Sequence, residues 1–416
     1  MLEKYFSAPK TLHRLRAGPS GPYIDGFAAA LARDGYSPAS AVRYLRAAAH
    51  LGHFLRRTGR TMADLDPHAV EAFRRHLRRC RCPLSTGSRA TNHHGFFGAK
   101  RFYAHLVRTG ICQRTPAPTL CQAEPALVLA FREWFRMHRG AAEPTLRSYC
   151  RGATELLTAL GDDLGCWTVQ RIRAFWLARA TQCGRATAAH LITAMRAFLR
   201  YLAFRGLCRL DLAHAIPAVA HWRLASLPAC LTGEEVRRLL AACAGATPRC
   251  LRDRAILLLL VRLGLRAGDV AQLRLADIEW ASGTLRVLGK SRSEVRLPLP
   301  QDAGEALLRY LECRPAVGGT DRVFVRNIAP FTPGVSPHCV SGVVKRALRR
   351  AGVVTAAKGA HLLRHTAATE MLRHGVPLDQ IGLVLRHRGL DMTAQYAKVD
   401  LALLIQVTQP WPEVAP

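Results

Sequence analysis

Toward its C-terminus the chain reads His361-Leu-Leu-Arg364-His-Thr, then Leu385-Arg-His387, then Tyr396. On a helix, residues three apart share a face, so His361 and Arg364 point the same way. A second imidazole and a lone phenol follow within one short stretch. This mixture suits phosphoryl chemistry on a charged backbone. An Arg fork clamps phosphate oxygens, His donates or accepts protons, and Tyr can attack. Taken singly, each residue has a bland reading: a polar pair on a helix, a capping or core His, a core aromatic. Their order and spacing weigh against that. Tyr396 is also the only Tyr after Tyr310, and only seven of the 60 basic residues are Lys.

These side chains need elements to hold them. Thr232-Gly-Glu-Glu235 is a capping box opening a helix through Ala242. Arg252–Leu263 reads as a buried helix closed by Gly264. Leu285–Leu288 and Val295–Leu299 alternate as two strands joined by a polar hairpin tip, Gly289 to Glu294. Val323-Phe-Val325 predicts a further strand, and helices resume from Val335. The C-terminal domain, 231–408 including a tail after Tyr396, is therefore mainly α with a small β-sheet.

Upstream the pattern is helical. The first 20 residues are basic and rich in turn formers and read as an irregular arm. Helices follow at Tyr23–Asp34, Ala39–Thr58, Asp64–Arg79 and Ala90–Thr109, enough for a small bundle. A similar order returns at Leu127–His138, Thr145–Leu160, Val169–Thr181 and Ala186–Arg205. The two units, 21–112 and 125–208, read as an approximate duplication. Residues 209–230 hold Pro217 and Pro228 and little periodicity, as a linker would.

The charge agrees with a polyanionic partner. Lys and Arg total 60 against 29 acids, for a net +31 and a pI near 10.8. Residues 1–230 carry 34 basic and 13 acidic residues (+21), and 231–416 carry 26 and 16 (+10), so the excess runs along the whole chain. The thirteen Cys are odd in number and contain no C-x-x-C pair. Cys80-x-Cys82 with His93 and His94 lacks the usual zinc spacings, so free thiols in a reducing cytoplasm are expected. The first residues lack a signal peptide's apolar core. The run from Ala255 to Val261, broken by Arg262, is far short of the roughly 20 residues a membrane span needs.

The C-terminal boxes resemble the catalytic signature of the tyrosine recombinases, the phage-integrase-like family. The resemblance covers about residues 231–405 well and 125–208 loosely, as a core-binding module. Gly264-Leu-Arg266-Ala-Gly-Asp269 looks like the family's first Arg box, with Asp269 at the position of an acidic helper. Lys290 falls at the family's Lys position. His361 and Arg364 match the H-x-x-R box, His387 the later His, and Tyr396, nine residues on, the nucleophile. One departure is Arg386, where the family usually has Gly before His.

The resemblance implies two SAM-like helical modules and an α+β catalytic domain. It implies a site-specific DNA recombinase or integrase that cuts and rejoins strands through a 3′-phosphotyrosine. Arg266 and Arg364 would bracket the scissile phosphate, and His387 would add a donor. Lys290 would protonate the leaving 5′-oxygen, His361 would handle the Tyr proton or hold the phosphate, and Asp269 would orient a catalytic cation from behind. No acid cluster near the boxes would hold Mg²⁺, so no metal or other cofactor is expected. The expected setting is double-stranded DNA of a mobile element in a bacterial cytoplasm, with the nucleoid. The enzyme would act there as a tetramer, alongside accessory recombination proteins. The tail after Tyr396 would dock on its own domain or on a neighbouring protomer. The rival readings are a type IB topoisomerase-like enzyme and an integrase-derived DNA-binding accessory protein.

Overall fold

The computed structural model describes residues 1–80, 82, 91–113, 124–217, 228–288, 294–317, 319–331, 334–387 and 389–397. They fall into two compact units, Met1–Gln113 with Ser226–Pro416, and Arg114–Ala225.

The first unit opens with a bundle of α1 (Pro9–Ala17), α2 (Gly21–Arg33), α3 (Pro38–Arg57), α4 (Pro67–Leu77) and α5 (Thr91–Arg108). Pro begins α3 and α4, where a missing N–H costs nothing. The Ser37 and Asp66 side chains accept from the free backbone N–H groups of Ser40 and Ala69. Phe27, Leu45, Phe73 and Phe102 fill the core. Gly98 lets α5 close on α3, since a Cβ there would meet that of Ala47 at 2.6 Å. The first 20 residues are not an irregular arm. Leu2, Phe6 and Leu15 are buried in this core, and Arg16 Nε bonds the Asp25 carboxylate at 2.9 Å. Apolar residues at helical spacing outweighed the turn formers between them.

The second unit, taken by itself, holds α6 (Ala126–Arg139), α7 (Glu143–Leu160), α8 (Val169–Ala180) and α9 (Arg185–Phe204). Again a glycine marks the closest crossing: a Cβ on Gly152 of α7 would lie 2.9 Å from that of Ala194 on α9. The expected linker begins later than the sequence suggested. Leu210–His214 forms a 3₁₀ turn, and Leu212, Ala213, Ala215 and Ile216 are buried in this bundle. Arg196 Nη2 donates to the Ile216 carbonyl at 2.7 Å.

The rest of the first unit is the α+β domain. Its helices are α10 (Gly233–Ala241), α11 (Pro248–Leu263), α12 (Ala267–Gln272), α13 (Gln301–Glu312), α14 (Pro337–Arg350), α15 (Ala360–Arg373), α16 (Leu378–Leu385) and α17 (Ala394–Ala397). Its strands, β1 (Ile278–Glu279), β2 (Thr284–Leu288) and β3 (Glu294–Pro298), form an antiparallel sheet in that order. Leu285 pairs with Leu297 and Val287 with Val295, which sends both pairs to one face. Helix α11 is the axis of the domain: Ala255–Leu260 is buried without a break, and it packs against α13, α14 and α15. Val323–Val325 is not a strand. Its contact is an isolated bridge between Arg322 and Arg274, with the Val323 N–H on the Leu273 carbonyl at 2.9 Å. Three apolar residues without a partner edge cannot extend a sheet. β1 was missed because two residues carry no alternation to read. Among the described residues no helix is long and apolar enough to cross a membrane. The bundle approaches this domain closely at Gly35, where a Cβ would meet the Phe331 ring at 2.2 Å.

Candidate active site

Helix α11 ends at Gly264, whose φ of +59° is the left-handed conformation a glycine takes without strain. A Cβ there would collide with Leu385 at 2.5 Å, so the glycine also lets the end of α16 approach. That approach builds a socket for Arg364 on α15, a side chain only 2 % exposed. Its Nη1 donates to the Gly264 carbonyl at 2.6 Å, and its Nη2 donates to the Leu385 carbonyl. Both acceptors are neutral, so the buried charge keeps its appetite for an anion. Burial, and then neighbouring Arg266, lower its pKa to about 10, which leaves it charged at neutral pH.

Arg266 stands just before α12. Its backbone N–H donates to the Asp269 carboxylate at 2.9 Å, and its Nη2 donates to the Arg386 carbonyl at 3.0 Å. Asp269 therefore fixes Arg266 through the main chain, while its charge is shared with the Arg386 guanidinium. Arg386 caps α16 with φ +54°, the only described non-glycine residue in the left-handed region. That backbone explains why a glycine suits the position. Its Nε and Nη1 are buried without hydrogen-bond partners.

The next residue, His387, bonds through Nδ1 to Thr393 Oγ1 at 2.8 Å. Burial, then Arg364 and Arg266, hold its pKa at about 4. Its ring lies parallel to that of Tyr396, centroids 6.3 Å apart. Tyr396 on α17 is 1 % exposed, and burial raises its pKa while Arg364 pulls against the rise. Its hydroxyl sits 2.9 Å from His365 Nδ1. His365 is held at about 4, by burial first and then by His361 and Arg364. The His361 ring is 5.1 Å from that of His365, and its pKa is lowered by desolvation, Arg364 and Arg266.

Five of the expected residues thus converge: Arg266, His361, Arg364, His387 and Tyr396. Asp269 joins them through the backbone of Arg266 and through Arg386. Lys290, the hairpin tip around it and the tail from residue 398 lie outside the described residues. His365 was in the quoted stretch but was given no role. Its signal was the four-residue step from His361, which sets both rings on one face of α15.

Two arginine cations, Arg364 held by neutral carbonyls, with neutral imidazoles and a buried phenol make a pocket that attracts a phosphodiester and offers it a nucleophile. The chain is similar to known proteins. A family model described as the phage integrase family matches residues 229–402. A Sinorhizobium fredii protein called integrase/recombinase y4rA is 36 % identical over 418 residues, spanning 98 % of this chain and 99 % of its own length. Tyrosine recombinase XerD of Xanthomonas axonopodis pv. citri is 33 % identical over 289 residues, covering 67 % of this chain and 94 % of that one. Among solved structures, XerH recombinase bound to palindromic difH substrate aligns with a TM-score of 0.56 at 19 % identity, over 69 % of this chain and 85 % of that one. A lambda integrase dimer bound to a COC′ core site gives 0.51 at 21 % identity, over 65 % and 93 %.

Proposed function

The chain belongs to the phage integrase family of tyrosine recombinases, which transfer DNA strands, and from this we propose that it breaks and rejoins DNA at specific sites through a 3′-phosphotyrosine. The observation that carries the reading is the Arg364 socket. A buried guanidinium is held by two neutral carbonyls in the same cluster as a buried Tyr hydroxyl bonded to an imidazole. A scissile phosphate entering there meets Arg364, Arg266 and the free edge of His387. These groups neutralise charge that grows on its non-bridging oxygens.

The Tyr396 oxygen attacks phosphorus and its proton passes to His365, which is within hydrogen-bond reach and neutral at physiological pH. His361, beside His365, receives or buffers that charge. The bond from phosphorus to the 5′-oxygen breaks as the new bond to Tyr396 forms. Lys290 protonates the leaving oxygen, leaving a free 5′-hydroxyl. Attack by another 5′-hydroxyl reverses the step, so the diester energy is conserved without a nucleotide. Asp269 keeps Arg266 and Arg386 in register.

The basic helical modules, 21–112 and 125–208, grip the duplex largely through phosphates, and binding weakens steeply with salt. Paired cleavages on two duplexes call for a multimer, most simply a tetramer, in a cytoplasmic, DNA-bound setting. The test is a nicked suicide duplex built from the DNA flanking the chain's own gene. Loss of the short fragment should trap protein covalently on the 3′ end. Tight specific binding with no covalent species under any condition would make the chain a DNA-binding accessory protein instead.

A further inference from the structure

Outside that site, the first bundle gathers four metal-ligating atoms. His50 lies on α3, His76 in the last turn of α4, and Cys80 and Cys82 just beyond it. His50 Nε2 is 3.3 Å from His76 Nε2 and 3.3 Å from Cys80 Sγ. His76 Nε2 is 3.6 Å from Cys82 Sγ, and all four atoms lie within 4.8 Å of one another. A tetrahedral zinc ion, with bonds of about 2.0–2.1 Å to nitrogen and about 2.3 Å to sulfur, has N···N edges near 3.3 Å and N···S edges near 3.6 Å. Three of the six separations match those edges within about 0.3 Å, and the other three lie within 4.8 Å. Hydrogen bonding does not account for the arrangement. A ring nitrogen carries one hydrogen or one lone pair, so His50 Nε2 cannot make a full hydrogen bond to both of its neighbours. Four donor atoms around one ion would use all three of these contacts.

We propose that His50, His76, Cys80 and Cys82 bind one zinc ion that fastens the end of α4 to α3. Two thiolates and two imidazoles in a tetrahedron select zinc over harder cations, and four protein ligands leave no open position for catalysis. The surroundings fit. The Cys82 N–H donates to Cys80 Sγ at 3.2 Å, and Arg57 Nη1 donates to Cys82 Sγ at 3.7 Å, so a main-chain dipole and a cation offset the thiolate charge. Phe73 packs edge-on to His50 at 5.1 Å, and Phe54 lies 5.0 Å from His76, screening the imidazoles from water. The sequence hid the set because His-x₃-Cys-x-Cys is not a usual spacing and its fourth member stands 26 residues upstream. Neither Cys80 nor Cys82 is in a disulfide; on this proposal they serve as thiolate ligands beside His50 of α3 and His76 of α4, while the side chains of His93 and His94 lie outside the described residues.

The experiment uses the full chain, purified without chelator. Elemental analysis should give about one zinc per chain, and removing it should lower the melting temperature. Replacing it with Co²⁺ should produce the absorption of a tetrahedral, thiolate-bound ion. The double variant Cys80→Ser/Cys82→Ser should lose the metal, and Cys166→Ser, altering an exposed thiol, should keep it. If the double variant does not fold, the Co²⁺ spectrum of the unaltered chain decides. Zinc retained in the double variant, or an unaltered chain with no stoichiometric metal and no thiolate–Co²⁺ absorption, would overturn the site. None of these readouts depends on DNA cleavage, so failure of the metal site is separable from that of the recombinase reading.

Discussion

His365 Nδ1 lies 2.9 Å from the Tyr396 hydroxyl, tying the helix that carries Arg364 to the helix that carries the phenol. Burial raises the Tyr396 pKa, so the phenol enters the reaction protonated and needs an acceptor. Tyr396→Phe should abolish covalent attachment and leave DNA affinity intact. His365→Ala should slow attachment by about 10²–10⁴-fold, the usual range for a general base, and higher pH should restore part of the loss. Gel-resolved trapping on a nicked duplex reads both. An adduct persisting in the Phe variant, or an undiminished rate in the Ala variant, would remove the assigned nucleophile or base.

Arg364 and Arg266 act on the same phosphate through different supports. Each change to Ala should cost about 2–4 kcal/mol of transition-state stabilisation, by analogy with losing one oxyanion donor. Arg364→Lys should recover little, because one ammonium cannot reproduce the fork that spans the Gly264 and Leu385 carbonyls. Lys290→Ala should be rescued by a 5′-thio-bridged substrate, whose leaving group needs no proton. Rescue of Arg364→Ala by that substrate, with none for Lys290→Ala, would mean that clamp and acid are exchanged.

Local signals carried most of this architecture. The helices of both bundles announced themselves by apolar spacing, and α10 by its Thr232–Glu235 capping box, which the structure contains in full. Order and spacing picked out Arg364, His387 and Tyr396 because they lie close in sequence, and Arg266, far upstream, through its own local box from Gly264 to Asp269. What escaped depended on distance along the chain. Leu2 and Leu15 become core only when α2 and α3 are beside them, and Cys80 and Cys82 acquire ligand partners only when α3 brings His50 across. His365 was visible but ambiguous, since a helix face alone does not say which of two imidazoles meets the phenol.

The buried imidazoles make stability pH-dependent. His365 and His387 are held at about 4, against an ordinary 6.5. As pH falls below 6.5 the unfolded chain takes these protons first, so folding free energy is lost down to about 4, and above 6.5 neither residue contributes a slope. Melting temperatures measured across that window should fall, and His365→Gln should fall less steeply. A variant that tracks the unaltered chain at every pH would show that His365 is not held neutral.

Asp253 is fully buried in α11 and accepts from Arg252 Nη2 at 2.7 Å, with the Arg346 and Arg350 guanidinium groups 3.8 and 4.0 Å away. Asp253→Ala should destabilise the domain by about 3–5 kcal/mol, since it strands a guanidinium beside an apolar helix. Urea unfolding followed by circular dichroism measures the loss. A change under about 1 kcal/mol would mean that water reaches Arg252 more readily than its burial implies.

Arg386 sets two effects against each other. Its left-handed backbone costs a non-glycine residue roughly 1–2 kcal/mol, and its Nε and Nη1 are buried without partners. In return, its guanidinium neutralises Asp269, where the side chains are only 6 % and 13 % exposed. Arg386→Ala keeps the strain and loses the ion pair, so it should be the less stable substitution. Arg386→Gly loses the same ion pair but relieves the backbone, and should exceed the Ala variant by about 1 kcal/mol in urea unfolding. Both variants remove a cation beside the phosphate pocket, so both should cleave more slowly than the unaltered chain, and by similar factors. Equal stability of the two would show that the backbone is not strained in solution. Full cleavage activity in the Gly variant would show that Arg386 serves only to hold Asp269, with its two unpartnered donors idle toward DNA.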